Sequence, residues 1–210
     1  MRVATITVLT LCMLFTGCGD FFQDPGDGRE GGSGGTAGTS GTGGDGSVGT
    51  AGTGGDPVFV GDCDDGPLGA PIANCRPDPL ESTGDPYADC VNRINQLRWE
   101  CQCLPPLQRW TDAEGCADQH SEYDSTRSAH SGFRDNICSP QGYGQNECPG
   151  WNSPEHIISG CLQAMWDEGP GEPFVEHGHY INMTNPDHSM VACGFYETPS
   201  GDVWSVQNFQ

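Results

Sequence analysis

Twelve cysteines and six histidines in 210 residues give this sequence its widest chemical reach. A cysteine can be a nucleophile, a metal ligand or half of a disulfide, and spacing discriminates among the three. No pair of C-x-x-C units occurs, and the tightest pair, Cys101-Gln-Cys103, is unlike zinc-finger spacing. So many cysteines indicate an oxidising compartment and disulfides. A nucleophilic thiol does not fit an evenly paired set. Serine catalysis has no support either: there is no G-x-S-x-G elbow, and Ser131 beside His130 has no such context. Asp62-Cys63-Asp64-Asp65-Gly66 lacks the alternating oxygen ligands and distal Glu of a calcium loop and reads as a solvated acidic turn. Asn182-Met183-Thr184 fits the N-glycosylation pattern but falls in an expected strand, so it is read as accidental.

The elements that must position any such chemistry begin well inside the chain. Residues 1–18 read as a signal peptide: Arg2 precedes the apolar run Val3 to Phe15, too short to span a bilayer. The run ends in Leu14-Phe15-Thr16-Gly17-Cys18, which resembles a bacterial lipobox, so Cys18 is the expected lipidation site. Without Cys12 and Cys18 ten of the twelve cysteines remain, enough for five disulfides. Residues 19–57 form a Gly/Ser/Thr-rich tether with a reach of roughly 30–40 Å. Residues 58–84 read as an irregular lead-in carrying Cys63 and Cys75. The formal charge of −21, with eight arginines and no lysine, excludes nucleic acid as a partner and a polybasic membrane patch.

Residues 85–210 carry the folded head. Asp85-Pro86 opens a helix with Tyr87, Cys90, Val91, Ile94 and Leu97 at helical spacing, running to about Arg98. Thr111-Asp112-Ala113-Glu114 reads as the capping box of a second helix. Ser153-Pro154 opens a third, with Ile157, Ile158, Cys161, Leu162, Met165 and Trp166 as its apolar stripe and Gly169-Pro170-Gly171 as its stop. Then the period changes. His179 to Thr184, Met190 to Tyr196 and Val203 to Phe209 read as three antiparallel strands separated by turn sequences. Helices followed by a small antiparallel sheet give an α+β head stapled by disulfides.

Several short motifs follow one another in this head: Asn92-Arg93-Ile94-Asn95, Leu104-Pro105-Pro106-Leu107 with Trp110, Ser128-Ala129-His130-Ser131, Gly142-Tyr143-Gly144-Gln145-Asn146, Met165-Trp166-Asp167-Glu168, His177-Gly178-His179-Tyr180 and Val191-Ala192-Cys193-Gly194. In this order they resemble the CAP superfamily, the SCP-like extracellular or pathogenesis-related-1 domain. The resemblance implies a three-layer αβα sandwich and a cleft of two histidines and two acids, which in some members holds a divalent metal.

On that resemblance the cleft histidines are His130 and His179 and one acid is Glu168, together a possible ligand set for zinc or a similar cation, with the same three as candidate catalytic residues. The second acid is missing: Gln145 stands there, which keeps hydrogen bonding but loses charge. Glu147, two residues on, is the nearest substitute. If Glu176 to Thr184 is extended, His177 shares a face with His179, although it reads better as a rim residue. Tyr180 lines the cleft while its ring, with Trp151 and Trp166, reads as core. His120 reads as a helix-packing residue, and His156 and His188 as solvated. The expected function is a membrane-tethered binding module of the bacterial cell envelope, its cleft taking a divalent cation, a small ligand or a partner protein. The alternative is a metal-dependent hydrolase, a peptidase or esterase, with Glu168 as general base.

Overall fold

A computed structural model describes residues 57–210. The expected signal, the lipobox with Cys18 and nearly all of the tether fall on residues 1–56, outside the described residues.

Among the described residues six α-helices and four strands follow in the order α1 (Pro86–Gln102), β1 (Gln108–Arg109), α2 (Thr111–Asp124), α3 (Ser131–Asp135), β2 (Gly144–Trp151), α4 (Pro154–His156), α5 (Leu162–Asp167), α6 (Phe174–Thr184), β3 (Met190–Glu197) and β4 (Val203–Phe209), with a π-helical segment, Ile157–Cys161, joining α4 to α5. The expected third helix is thus present, locally widened at Ile157–Cys161. The sheet order is β1-β3-β4-β2, which makes β2 an edge strand. β4 pairs antiparallel with both β2 and β3, whereas the two-residue β1 lies parallel to β3.

The sandwich follows from side-chain alternation along the strands. In β3, Cys193 is bonded to Cys90 of α1, while the next residue, Gly194, meets α2. A Cβ on Gly194 would lie 2.2 Å from the Ala117 carbonyl carbon, so only glycine lets α2 approach this closely. In β2, Gln145 and Glu147 face the α2 side, while Cys148 is bonded to Cys161 and Asn146 reaches the thioether of Met165. Helices therefore cover both faces, giving three αβα layers around a core that includes Ile94, Leu97, Ile157, Leu162, Met183, Val191, Val206 and Phe209.

α1 begins as the sequence predicts: Asp85 Oδ1 accepts from the Tyr87 and Ala88 amides at 3.0 and 3.4 Å, and Oδ2 pairs with Arg109 at 2.7 Å. It runs to Gln102, past the expected end at Arg98, because Cys101 and Gln102 are themselves buried. Asp85→Ala is expected to lower stability by about 1 kcal/mol, read as a lower denaturant midpoint at unchanged slope. An unchanged midpoint would mean that the cap contributes nothing. α2 begins at Thr111, but no side chain caps it, so the expected capping box is not formed.

Two motif segments have structural work. Asn95 donates to the Leu107 carbonyl and accepts from the Leu107 amide, and Arg98 donates to the Pro105 and Met183 carbonyls. Together they pin the Leu104–Leu107 turn between α1 and α6. All ten remaining cysteines are paired: Cys63–Cys103, Cys75–Cys101, Cys90–Cys193, Cys116–Cys138 and Cys148–Cys161. The first two bind the lead-in, which has no helix or strand, to the end of α1. Amides of Leu68 and Ile72 satisfy carbonyls of Gln102 and Cys101, groups that a helix end leaves without intrahelical partners.

One expected strand is a correction. His179 to Thr184 belongs to helix α6, not to the sheet. Its β-prone composition is overridden because a helix puts Tyr180 and Met183, three apart, into the core on one face. Asn185-Pro186 then ends it, since a residue before proline is driven out of the α region and Asn185 has ψ 122°. The third antiparallel strand is β2 instead.

Candidate functional site

His130 and His179 reach the β2 edge from opposite layers. His130 follows α2, in the left-handed region (φ 62°), immediately before α3. Glu147 holds this turn: its Oε2 accepts the His130 amide at 2.7 Å. Asp124, at the end of α2, accepts the Gly132 amide at 2.7 Å. His179 lies one turn inside α6 on the other layer, its carbonyl accepting from Asn146 of β2 at 3.0 Å. The two imidazoles are close enough that charge on His179 disfavours charge on His130.

The network fixes the His130 tautomer. Gln145, fully buried, donates through Nε2 to Asn208 Oδ1 and to His120 Nδ1, both at 3.0 Å. Its Oε1 is then the acceptor for His130 Nδ1–H at 2.8 Å, which puts the His130 lone pair on Nε2. Burial first of all pushes the His130 imidazole down to about 4, so it is neutral at physiological pH. His120 packs as expected, fully buried, but its Nδ1 is also the acceptor that orients Gln145.

His179 is oriented in a similar way by a different group. Glu168 Oε1 accepts from its Nδ1 at 2.5 Å and Oε2 accepts from its backbone amide at 3.0 Å. Both Glu168 oxygens are engaged, so Glu168 holds His179 rather than standing beside it as a further ligand. His177 sets this up: its Nδ1 donates to the Glu168 and Gly169 carbonyls at 2.7 and 3.0 Å, fastening the end of α5 to α6. The expectation of a shared His177/His179 face fails because the segment is helical and residues two apart diverge. Tyr180 does not line the cleft. Its ring packs edge-on to Trp166 and its hydroxyl donates to Gln102, both deep in the core.

Glu147 stands where the missing acid would be useful, 3.8 Å from His130 Nδ1, yet it does not restore the charge. Burial, with Asp124 as the next cause, pushes its carboxyl up to about 8, so at neutral pH it is protonated. Its Oε1 and Asp124 Oδ2 are buried without an N–H or amide donor, and the two carboxyl groups lie within hydrogen-bonding reach. One proton shared between them satisfies both oxygens. Strand alternation is the signal that places residues 145 and 147 on one face, once Gly144–Trp151 is known to be a strand.

Among the described residues, one group of three brings its potential ligand atoms within 4.8 Å: Cys116, His120 and Cys138. It is poorly suited to a metal, because both sulfurs are committed to a disulfide and the His120 lone pair is on Nδ1, facing Gln145 and Asn208. The remaining histidines complete the map. His156 is exposed, as expected. His188 is not solvated: it is half-buried and stacked on Phe209 with ring centroids 5.5 Å apart, and burial lowers its basicity. Ser131 Oγ bonds the Ser128 carbonyl and hydroxyl, with no imidazole to activate it. Asn182 of the glycosylation pattern is turned inward, donating to the Gln145 carbonyl and the Asn146 side chain.

Residues 91–209 match the CAP family profile, described as the cysteine-rich secretory protein family. Among solved structures, one titled "Structure of BmVAL-1" is similar at 15% identity, covering 62% of this chain and 78% of that one with a TM-score of 0.46. No curated protein matches the chain. The profile spans more than half of the sequence and contains every cleft residue described above, so the chain belongs to the CAP family of cysteine-rich secretory proteins.

Proposed function

We propose that this protein is an exported CAP-domain binding module whose His130/His179 cleft takes a divalent cation, zinc being the best fit, and through it a ligand or partner. The observation that carries the reading is the matched orientation of the two imidazoles: each Nδ1–H is held by a protein acceptor, Gln145 on one and Glu168 on the other. With each Nδ1–H so held, Nε2 is the ring nitrogen that would ligate a metal, and held imidazoles are typical of ligands with an outer hydrogen-bonding shell. His130 and His179 would hold the ion, and its other ligands would come from solvent or the bound molecule. The ion would supply Lewis acidity. Gln145 and Glu168 orient, and Glu147 with Asp124 holds the His130 turn.

Five disulfides suit an oxidising, extracytoplasmic location. Anchoring through Cys18 in a bacterial envelope extends this reading, supported by the lipobox-like sequence and the tether. The second reading, a metal-dependent peptidase or esterase, is favoured by one contact: the part-exposed Glu168–His179 pair has the geometry of a carboxylate-supported base. Isothermal titration with zinc tests the first. The wild type is expected to bind one ion, and His130→Ala/His179→Ala to weaken binding at least about 100-fold. Equal affinity in both proteins would remove the cleft as the metal site. Metal-dependent turnover of a peptide or ester by the wild type would replace the first reading by the second.

A further inference from the structure

A cavity of about 300 Å³ lies away from the histidine pair, between the lead-in and the first turns of α1 and α4. Its apolar wall includes Leu80, Pro86 and Ile158, and its polar lining includes Glu81, Asp89 and Glu155. None of His130, His179, Glu168 and Gln145 lines it. A helix start ordinarily favours an anion. Here both starts are already served from within: Asp89 stands in the first turn of α1, accepting from Ser82 Oγ, Thr83 Oγ1 and the Thr83 amide, and Glu155 stands in the first turn of α4. The cavity therefore presents three carboxylates. The one cation in its lining, Arg93, is 3% exposed, and both of its terminal nitrogens hold the floor, Nη1 donating to the Pro77 carbonyl and Gln96 and Nη2 to Gln163, while its Nε is buried without a partner.

We propose that this groove docks a basic segment of a partner protein, an aliphatic side chain entering between Leu80 and Ile158 while flanking Lys or Arg side chains meet Glu81, Asp89 and Glu155. Charge complementarity selects this occupant. An anionic ligand or an acidic bilayer would face the three carboxylates and a chain of net charge −21, and a second copy of this protein, with eight arginines and no lysine, carries the same disadvantage. The volume is at the small end of ligand sites, matched to one or two side chains rather than a large molecule. The lead-in that forms one wall is held to α1 by hydrogen bonds, Arg93 and Gln96 donating to the Pro77 and Asp78 carbonyls and Ser82 and Thr83 donating to Asp89, so the groove is preformed and docking costs little ordering.

The probe is a fluorescein-labelled, amidated peptide, Gly-Arg-Leu-Lys-Leu-Arg-Gly, titrated with the full-length chain and followed by fluorescence anisotropy at 0.15 M salt. Two further peptides replace the three basic residues by Glu, or both leucines by Ser. The Leu-containing basic peptide is expected to bind best. Glu81→Gln/Glu155→Gln and, separately, Leu80→Ser are each expected to weaken it about five-fold with unchanged thermal unfolding, and His130→Ala to have no effect. Because the whole chain is acidic, loss of binding on removing only two carboxylates marks the groove and not general charge. Equal affinity in the charge variant overturns the proposal. So does tight binding of the Glu peptide, or a Ser peptide that binds as well as the Leu peptide.

Discussion

Gln145→Glu is expected to destabilise the protein by roughly 3 kcal/mol at pH 8 and far less near pH 5. The wild-type amide donates to Asn208 Oδ1 and His120 Nδ1 and accepts from His130 Nδ1–H, so both faces of the group are used. A carboxylate keeps the bond from His130 but turns two donors into acceptors that face acceptors. It can be accommodated only by taking up a proton, on itself or on His120, whose basicity burial already lowers. The folded variant then binds a proton that the unfolded chain has released, and its stability falls as pH rises. Thermal unfolding at the two pH values measures this. A variant as stable as wild type at pH 8 would show that the network around Gln145 is not as described. The same protein separates the two functional readings. Under the binding-module reading zinc affinity changes without turnover, whereas under the hydrolase reading a carboxylate beside His130 raises a metal-dependent rate by about 10²- to 10⁴-fold.

Wild-type stability is expected to decline between pH 6.5 and 8.5 by about 1 kcal/mol, in contrast to the broad optimum of most proteins in that range. The cause is Glu147. Its carboxyl titrates at about 8 in the folded protein and near 4.3 when unfolded, so the folded state retains a proton through this window and its advantage is lost as pH rises through 8. His130 acts in the opposite direction. Depressed to about 4, it leaves the unfolded chain with an extra proton on the acid side and offsets part of the Glu147 effect there. His120 and His188, whose basicity burial also lowers, act in the same sense. Because an unfolded histidine is still half protonated at about pH 6.5, the three offset part of the Glu147 effect up to about pH 7.5, above which Glu147 dominates. Glu147→Gln keeps an acceptor for the His130 amide and gives Asp124 an N–H donor, so this variant is expected to match wild type near pH 6 and to exceed it at pH 8.5. A wild-type profile that is flat from 6.5 to 8.5, or a variant that declines in parallel, would refute a proton held between Glu147 and Asp124.

The separate fates of Gln145 and Glu147 show where the sequence stops being sufficient. A helix announces itself locally: Asp85-Pro86 and the 3.6-residue recurrence of Tyr87, Cys90, Val91, Ile94 and Leu97 are enough to place α1, because capping and one-sided burial act within a few turns. The same holds for the stripe of Ile157, Cys161, Leu162 and Met165, and for strands β3 and β4 with turn sequences between them. The even cysteine count announced five disulfides, but not which sulfur meets which, since Cys90 and Cys193 are 103 residues apart and only the sandwich brings them together. The ordered motifs located His130, His179, Glu168 and Gln145 and the family to which the profile assigns the chain.

What only the tertiary structure decided is non-local in origin. α6 carries β-prone residues and is nevertheless a helix, because Tyr180 and Met183 must reach one core together. β2 hides as a strand in Gly144–Trp151 because both of its faces are covered and polar: Gln145, Asn146 and Glu147 are buried, so no apolar alternation marks it. From that one strand follow the roles that spacing could not assign. Glu168 is a partner of His179, His177 is the fastening of α5 to α6, and Glu147 is a protonated clamp rather than a substitute charge. The physical reason is the same in each case. Propensity and periodicity act over a turn or two of chain, whereas a buried polar group takes its protonation, its partner and its purpose from whatever the fold packs against it.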